Sequence, residues 1–377
     1  MIGRSRLSHP VVRSDDMNMH RRDWVRAVTL GALGALARPA LAQKPSPLRI
    51  TGLRVTPIAL PDPPLLNAAG CHGPYFLRNV VELTTDGGVV GIGETTGGEE
   101  VTAALERARE LVVGRDAFAY RSFQNALIPS SPAGYAGIEI ACLDACGGAL
   151  GRRVCELLGG PVRNEVEYAA YLFYRYAADH PTILDDSRIS DGRGRGDRAL
   201  DAWGEVRTPE AMAAMAARFR ERWGFRVFKL KGGVLAPDTE LATLRAMADR
   251  LGPDAPLRID PNGRWRVDTA RRIGAGMAGL NLEYYEDPVR GQEAMAEVRS
   301  ATGLRMSTNM CVTRFGHLAE ALRVKPIDVL LTDLHYFGGF AGNLALGPIA
   351  QAAGWELGQH SNNHAGVTMA AMTHLAA

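Results

Sequence analysis

Six polar side chains punctuate the second half of the sequence at near-regular intervals. Lys229, Asp260, Glu286, Asn309, Asp333 and His360 are separated by 31, 26, 23, 24 and 27 residues. Asp260, Glu286 and Asn309 offer three hard oxygen donors without an adjacent Cys or His, a set that favours Mg2+ over zinc. Lys231 follows Lys229 by two, so on a strand both ammonium groups share one face, flanked by the apolar Val227, Phe228 and Leu230. Mutual repulsion and partial desolvation are expected to lower a lysine pKa toward that of a usable base. Asp333 and His360 suit a carboxylate–imidazole pair in which the acid orients the ring and raises its basicity. Bases facing one another across a cation pocket fit removal of a proton α to a carboxylate. That proton is too weakly acidic for an unaided amine, so metal coordination of the carboxylate oxygens has to stabilise the enolate. Loss of a β hydroxyl then gives dehydration, and reprotonation gives racemisation. A single acid at a strand end also serves as a helix N-cap, Asp260 above all; three in register are harder to assign to capping.

Each of the six positions closes a short apolar run. The segments between them, Pro209–Trp223, 238–251, 267–277, Gln292–Thr302, 315–324 and 343–353, carry apolar residues at three- and four-residue spacing and read as amphipathic helices. One strand plus one helix per step implies parallel βαβ units. A closed (β/α) barrel gathers all its strand C-termini at one rim. A first barrel strand is expected at 166–174, followed by a polar surface excursion over 177–205.

Ahead of the barrel, 48–60, 75–85 and 89–94 read as three antiparallel strands, the last two joined by Asp86-Gly87-Gly88. Helices are expected at 99–113, 117–127 and 136–158. The expected organisation is an α+β capping domain over 43–160 and a barrel domain over 161–377. The loop 67–74, with Asn67 and His72, interrupts the sheet; it could reach over the barrel mouth, but by residue type alone it reads as an ordinary Gly-Pro loop in which His72 satisfies a local hydrogen bond.

The chain is 46% hydrophobic and 22% charged, which suits a soluble globular protein of more than one domain. The first 42 residues differ. His20-Arg21-Arg22-Asp23-Trp24-Val25-Arg26 precedes an apolar run over 27–37 and then Pro39-Ala40-Leu41-Ala42, the parts of a twin-arginine-like export signal cleaved after Ala42. Met17 or Met19 would serve equally as the start. The run is too short to span a bilayer, and the expected location is periplasmic, or cytoplasmic if the signal is not used. Residues 1–42 carry seven Arg against three Asp, so they hold the basicity of a chain whose net charge is +2. No basic run with interleaved aromatics points to nucleic acid, which leaves a small-molecule partner; self-association into a homo-oligomer stays open. Five cysteines without a CxxC pair indicate no disulfide framework.

Several strings resemble the enolase superfamily, and within it the glucarate dehydratase group: Phe228-Lys229-Leu230-Lys231-Gly232-Gly233, Asp260-Pro261-Asn262-Gly263, Glu286-Asp287-Pro288, Ser307-Thr308-Asn309-Met310 and His360-Ser361-Asn362-Asn363-His364. The resemblance implies a (β/α)7β-type barrel, here without its last strand, behind an α+β capping domain. It implies Mg2+ held by Asp260, Glu286 and Asn309. Lys231 would be the base on one face with Lys229 beside it; the His360–Asp333 dyad would serve the other. Asn67, His72, Tyr171, Asn262 and Asn362 would contact substrate. The implied reaction is dehydration of an acid sugar to a 2-keto-3-deoxy product. The sequence departs from the group in a shorter loop over 127–136, in Leu334 where a proline is usual, and in Tyr336-Phe337-Gly338-Gly339. It ends at Ala377, inside what should be the seventh barrel helix, where a closing strand is expected to follow. Two other readings stay open: racemisation or dehydration of a different acid sugar, and an exported sugar-acid-binding protein without catalysis.

Overall fold

The computed structural model describes residues 48–72, 75–177 and 203–377; the export-signal expectation and most of the 177–205 excursion lie outside them. The chain opens with β1 (Ile50–Pro61), the two-residue strands β2 (Leu66–Asn67) and β3 (Gly70–Cys71), β4 (Tyr75–Thr85) and β5 (Val90–Thr96). β1, β4 and β5 form an antiparallel meander. Two helices, α1 (Glu99–Val112) and α2 (Pro132–Leu150), follow. Gly91 and Gly93 let β5 lie directly on α2, because a Cβ at either would sit 2.0 Å or less from a helix carbonyl oxygen.

Helix boundaries here differ from the sequence expectation. The segment 117–127 is mostly a 3-10 helix (Ala117–Phe123) with one α turn after it. The expected helix 136–158 begins earlier, since Ser131 caps Gly134 N at 2.9 Å with Pro132 in the first turn. It stops at Gly151, whose left-handed φ of 61° ends the helix, and a separate turn covers Val154–Leu157.

Seven parallel strands follow: β6 (Ala169–Phe173), β7 (Val227–Lys231), β8 (Leu257–Asp260), β9 (Leu282–Glu286), β10 (Met306–Thr308), β11 (Val329–Thr332) and β12 (Glu356–Gln359). They are ordered β6 to β12 as in the chain, so every neighbour pair is joined by a crossover. The crossover helices are α3 (Pro209–Trp223), α4 (Pro237–Leu251), α5 (Val267–Gly276), α6 (Gln292–Thr302), α7 (Leu318–Val324) and α8 (Gly339–Ala353), with α9 (Gly366–Ala376) after β12. β6 is shorter than the expected 166–174. The sheet is open between β12 and β6, where a cavity of about 820 Å3 is lined in part by Tyr171, Lys229, Leu331 and Gln359.

Burial explains the patterning. All five residues of β7 and all four of β11 are buried, as parallel strands covered on both faces must be. One apolar core lies within the barrel and another inside the capping domain. A third joins the two, with Ile140 and Leu143 of α2 packed among Leu334, Phe340, Ala371 and Met372. The five cysteines are free thiols, and no helix among the described residues is long and apolar enough to cross a membrane.

Candidate active site

Register decides which side chains meet. Tyr171 pairs with Lys229 across β6 and β7, Lys231 with Asp260 across β7 and β8, and Glu286 with Ser307 across β9 and β10. The strand ends therefore line up at one rim. Lys229 and Lys231 point inward and are only 8% and 7% exposed. Lys229 Nζ donates to Glu286 Oε1 at 2.6 Å and lies 3.4 Å from Asp260 Oδ2; Lys231 Nζ donates to Asp260 Oδ2 at 2.6 Å. The Tyr171 ring lies under both ammonium groups, 4.7 Å and 5.8 Å from its centroid.

Burial pulls both lysine pKa values down, as expected from the sequence, but the facing carboxylates outweigh it and the net shift of each is upward. The expected lowering is thus reversed: the carboxylates of Glu286 beside Lys229 and of Asp260 beside Lys231 supply the opposite charge. The acids respond unequally. Burial and the charge of Asp260 raise Glu286, whereas Asp260, despite its burial, is held down by the two lysines.

Asn309 closes this cluster, its Nδ2 donating to Glu286 Oε1 at 2.6 Å. Asp287 anchors it from behind by accepting Asn309 N at 2.8 Å and the Thr308 hydroxyl. Asp260 and Glu286 thus bring carboxylate oxygens to one buried point that the Lys229 ammonium occupies, and Asn309 reaches the same Glu286 oxygen through its amide. Glu286 Oε2 is buried without a hydrogen-bond partner. Two carboxylates, one of them with an orphaned oxygen, and an amide are a donor set that fits Mg2+.

The second half of the site comes from β11 and β12. His360 Nδ1 lies 3.0 Å from Asp333 Oδ2, and the His360 backbone N donates to Thr332 O at 2.7 Å. Burial pushes the Asp333 carboxyl up, but the hydrogen bond from His360 and the imidazoles of His364 and His335 beside it hold it well below the usual range. An ionised carboxylate only accepts, so His360 Nδ1 carries the proton and Nε2 keeps its lone pair.

A cavity of about 690 Å3 covers both halves, and Asn67, His72, Tyr171, Lys231, Asn262, Asn309, His360 and Asn362 all line it. Lys229, Asp260, Glu286 and Asp333 are buried and join this lining through the contacts Lys231–Asp260, Asn309–Glu286–Lys229 and His360–Asp333. The tight β2–β3 turn presents Asn67 and His72, which meet through Asn67 Nδ2 and His72 Nε2 at 2.8 Å. His72 Nδ1 lies 3.1 Å from Asp62 Oδ2. Asn262 takes a left-handed φ of 56°, and its backbone N donates to Asp260 Oδ1 at 2.9 Å.

Other residues were not legible as part of the site. His335 and Tyr336 also line the cavity, the latter stacked on His360 with centroids 5.7 Å apart. Glu240 on α4 accepts from Gly233 N, Val234 N and Leu235 N, pinning the loop after Lys231. The spacing of Glu240 from Lys231 gave no hint of this, since it reads as an ordinary acid in the first turn of a helix.

Residues 211–377 match the family described as Enolase C-terminal domain-like, and residues 74–159 match the Mandelate racemase / muconate lactonizing enzyme, N-terminal domain. The chain belongs to the enolase superfamily. It is 40% identical, over 88% of its length and 79% of the relative's, to a probable glucarate dehydratase of Streptomyces coelicolor. It is 28% identical to a D-galactarolactone cycloisomerase of Agrobacterium fabrum, over 74% and 70% of the two chains. Among solved structures, an enolase from Pseudomonas fluorescens with bound magnesium, potassium and tartrate superposes with a TM-score of 0.80 at 35% identity, covering 88% of this chain and 79% of that one. The superfamily assignment makes the protein an enzyme of the magnesium-dependent dehydratase and racemase kind. The second domain has the expected parallel sheet behind an antiparallel capping domain.

Proposed function

We propose that this enolase-superfamily enzyme is a Mg2+-dependent acid-sugar dehydratase of the glucarate type. What carries the reading is that Lys231, Asn309 and His360 open onto one cavity, with Asp260 bonded to Lys231 and Glu286 to Asn309 directly behind them. The similarity to a probable glucarate dehydratase and to a tartrate-bound structure supports a polyhydroxy acid as substrate.

Asp260, Glu286 and Asn309 would hold the Mg2+, which when bound supplies positive charge to the substrate carboxylate and so acidifies the adjacent C–H. Lys231 takes the α proton. Its protonated state here depends on Asp260; once Asp260 is engaged elsewhere, burial and the Lys229 ammonium favour the neutral amine that a base needs. Lys229, beside Tyr171, stays cationic and holds a substrate oxygen. The electron pair of the broken C–H bond passes into the enolate and then into the Cα–Cβ double bond as the β C–O bond breaks; the leaving oxygen takes a proton that His360 Nε2 has first picked up from solvent, Asp333 balancing the imidazolium. One water leaves. The enol then tautomerises to the 2-keto-3-deoxy acid. Asn67, His72, Asn262 and Asn362 orient the hydroxyl and distal carboxylate groups around the cavity wall.

The testing experiment incubates the enzyme with a panel of acid sugars and Mg2+, reads keto product as its semicarbazone, and follows α-proton exchange in deuterated water by NMR. Keto product is the expected result. Exchange without keto product would assign racemisation, and binding with neither would refute catalysis.

A further inference from the structure

Asp333 is surrounded by more imidazole than the proton relay uses. Besides His360, His364 Nε2 lies 3.4 Å from Oδ2 and His335 Nδ1 lies 3.6 Å from Oδ1. The His335 and His364 rings meet edge to face with centroids 4.6 Å apart, and the ligand atoms of Asp333, His335 and His364 all lie within 4.8 Å of one another. In a tetrahedral zinc site with bonds of about 2.0–2.1 Å, ligand atoms are about 3.3 Å apart. The two carboxylate–imidazole separations already approach that spacing.

The protonation pattern also leaves a place for a cation. His364 Nδ1 lies 2.9 Å from the thioether of Met372, which can only accept; the tautomer with its proton on Nδ1 satisfies that contact and leaves the Nε2 lone pair for a cation shared with Asp333. Neither ring nitrogen of His335, 4% exposed, has a hydrogen-bond partner; the Glu94 carbonyl faces the ring outside hydrogen-bond geometry.

We propose that Asp333, His335 and His364 form a second cation site, selective for zinc-class divalent ions over Mg2+, and that filling it draws Asp333 away from His360. Two neutral imidazoles and one carboxylate suit a borderline-soft ion. They lie apart from the oxygen cluster of Asp260, Glu286 and Asn309. A filled site would leave His360 without its carboxylate and so inhibit turnover. That consequence rests on the proposed function, whereas the binding does not.

The test dialyses the full chain against micromolar ZnCl2 in millimolar Mg2+ and counts bound metal by atomic emission. Wild type should hold one equivalent more zinc than His335→Gln, and Asp260→Asn should keep that equivalent. Equal zinc in wild type and H335Q, or loss of the equivalent in D260N, overturns the site. If H335Q fails to fold by circular dichroism, Co2+ replaces zinc in the wild type. Two paramagnetically shifted, exchangeable imidazole N–H resonances are then expected, and fewer than two overturns it. With an acid sugar that is turned over, zinc should inhibit wild type at least tenfold more strongly than H335Q; inhibition that added Mg2+ reverses places the ion in the oxygen cluster and overturns the proposal.

Discussion

Replacing Asp333 by asparagine tests the relay, because the substitution keeps the shape and removes one charge. Asp333 is fully buried, accepts the His335 backbone N at 2.8 Å and faces His360 Nδ1 at 3.0 Å. Whenever His360 holds the proton it will deliver, the imidazolium it forms is balanced by this carboxylate. A hydrogen bond to a charged partner contributes about 1.5–3 kcal/mol. At about 1.36 kcal/mol per decade, D333N should lower kcat about 10- to 150-fold with KM little changed. The assay is keto-product formation, with far-UV circular dichroism confirming the fold. Exchange of the α proton through Lys231, followed by NMR in deuterated water, should survive within about threefold, because Lys231 contacts Asp260 rather than Asp333. A kcat within threefold of wild type, or exchange lost in parallel with elimination, would refute the division of labour between the two sides of the cavity.

Three further outcomes follow from the same geometry. Asp260→Asn should weaken Mg2+ binding at least tenfold, read as loss of the Mg2+-induced rise in melting temperature; an unchanged rise would place the ion elsewhere. Glu139, raised to about 7 by burial, lends stability in full below its unfolded pKa of about 4.5 and loses it as pH rises through about 7. Wild type should therefore lose about 2 kcal/mol between about pH 5.5 and 8.5 relative to Glu139→Gln in urea titrations, and parallel curves for the two would sink the assignment. Gly339→Ala should destabilise by about 3 kcal/mol or more, since its φ is 72° and the new Cβ would sit 1.8 Å from Glu139 Oε2; an unshifted thermal midpoint would contradict that contact.

The barrel was legible because each βα step repeats one signal, an apolar run closed by a polar residue and followed by a 3.6-period helix. α3 and α6 coincide with their expected bounds, and the strand ends meet as that repeat requires. What local pattern could not supply was the effect of residues distant in sequence. α8 starts at Gly339, not at the expected 343, because Glu139 from α2 accepts from Phe340 N and Ala341 N at its first turn. Lys229 and Lys231 were read as a repelling pair because their facing acids lie 29 to 57 residues away. Nothing in the local sequence singles out His335, and only the fold brings its ring against His364.

The capping domain holds the site through charge as well as by covering it. Glu139 caps α8, the helix that follows the loop bearing Asp333, His335 and Tyr336. Glu94 does the same for α9, which follows the loop bearing His360, Asn362 and His364: it accepts Ala365 N at 2.8 Å, Val367 N at 3.0 Å and Thr368 N at 3.1 Å. Arg78, 1% exposed, pairs with Glu94 at 2.7 Å and reaches the Thr368 hydroxyl at 3.3 Å. Buried helix N-termini need acceptors, and here the barrel obtains them from a separate domain. A shift of the capping domain would leave those N–H groups unpaired at about 1–3 kcal/mol each, so the two loops of the His360 side cannot relax independently of it. Among the described residues the loop after Lys231 shows no such tie, and Glu240 caps it from within the barrel. Perturbing the domain contact should therefore disturb the His360 relay before it disturbs proton removal by Lys231.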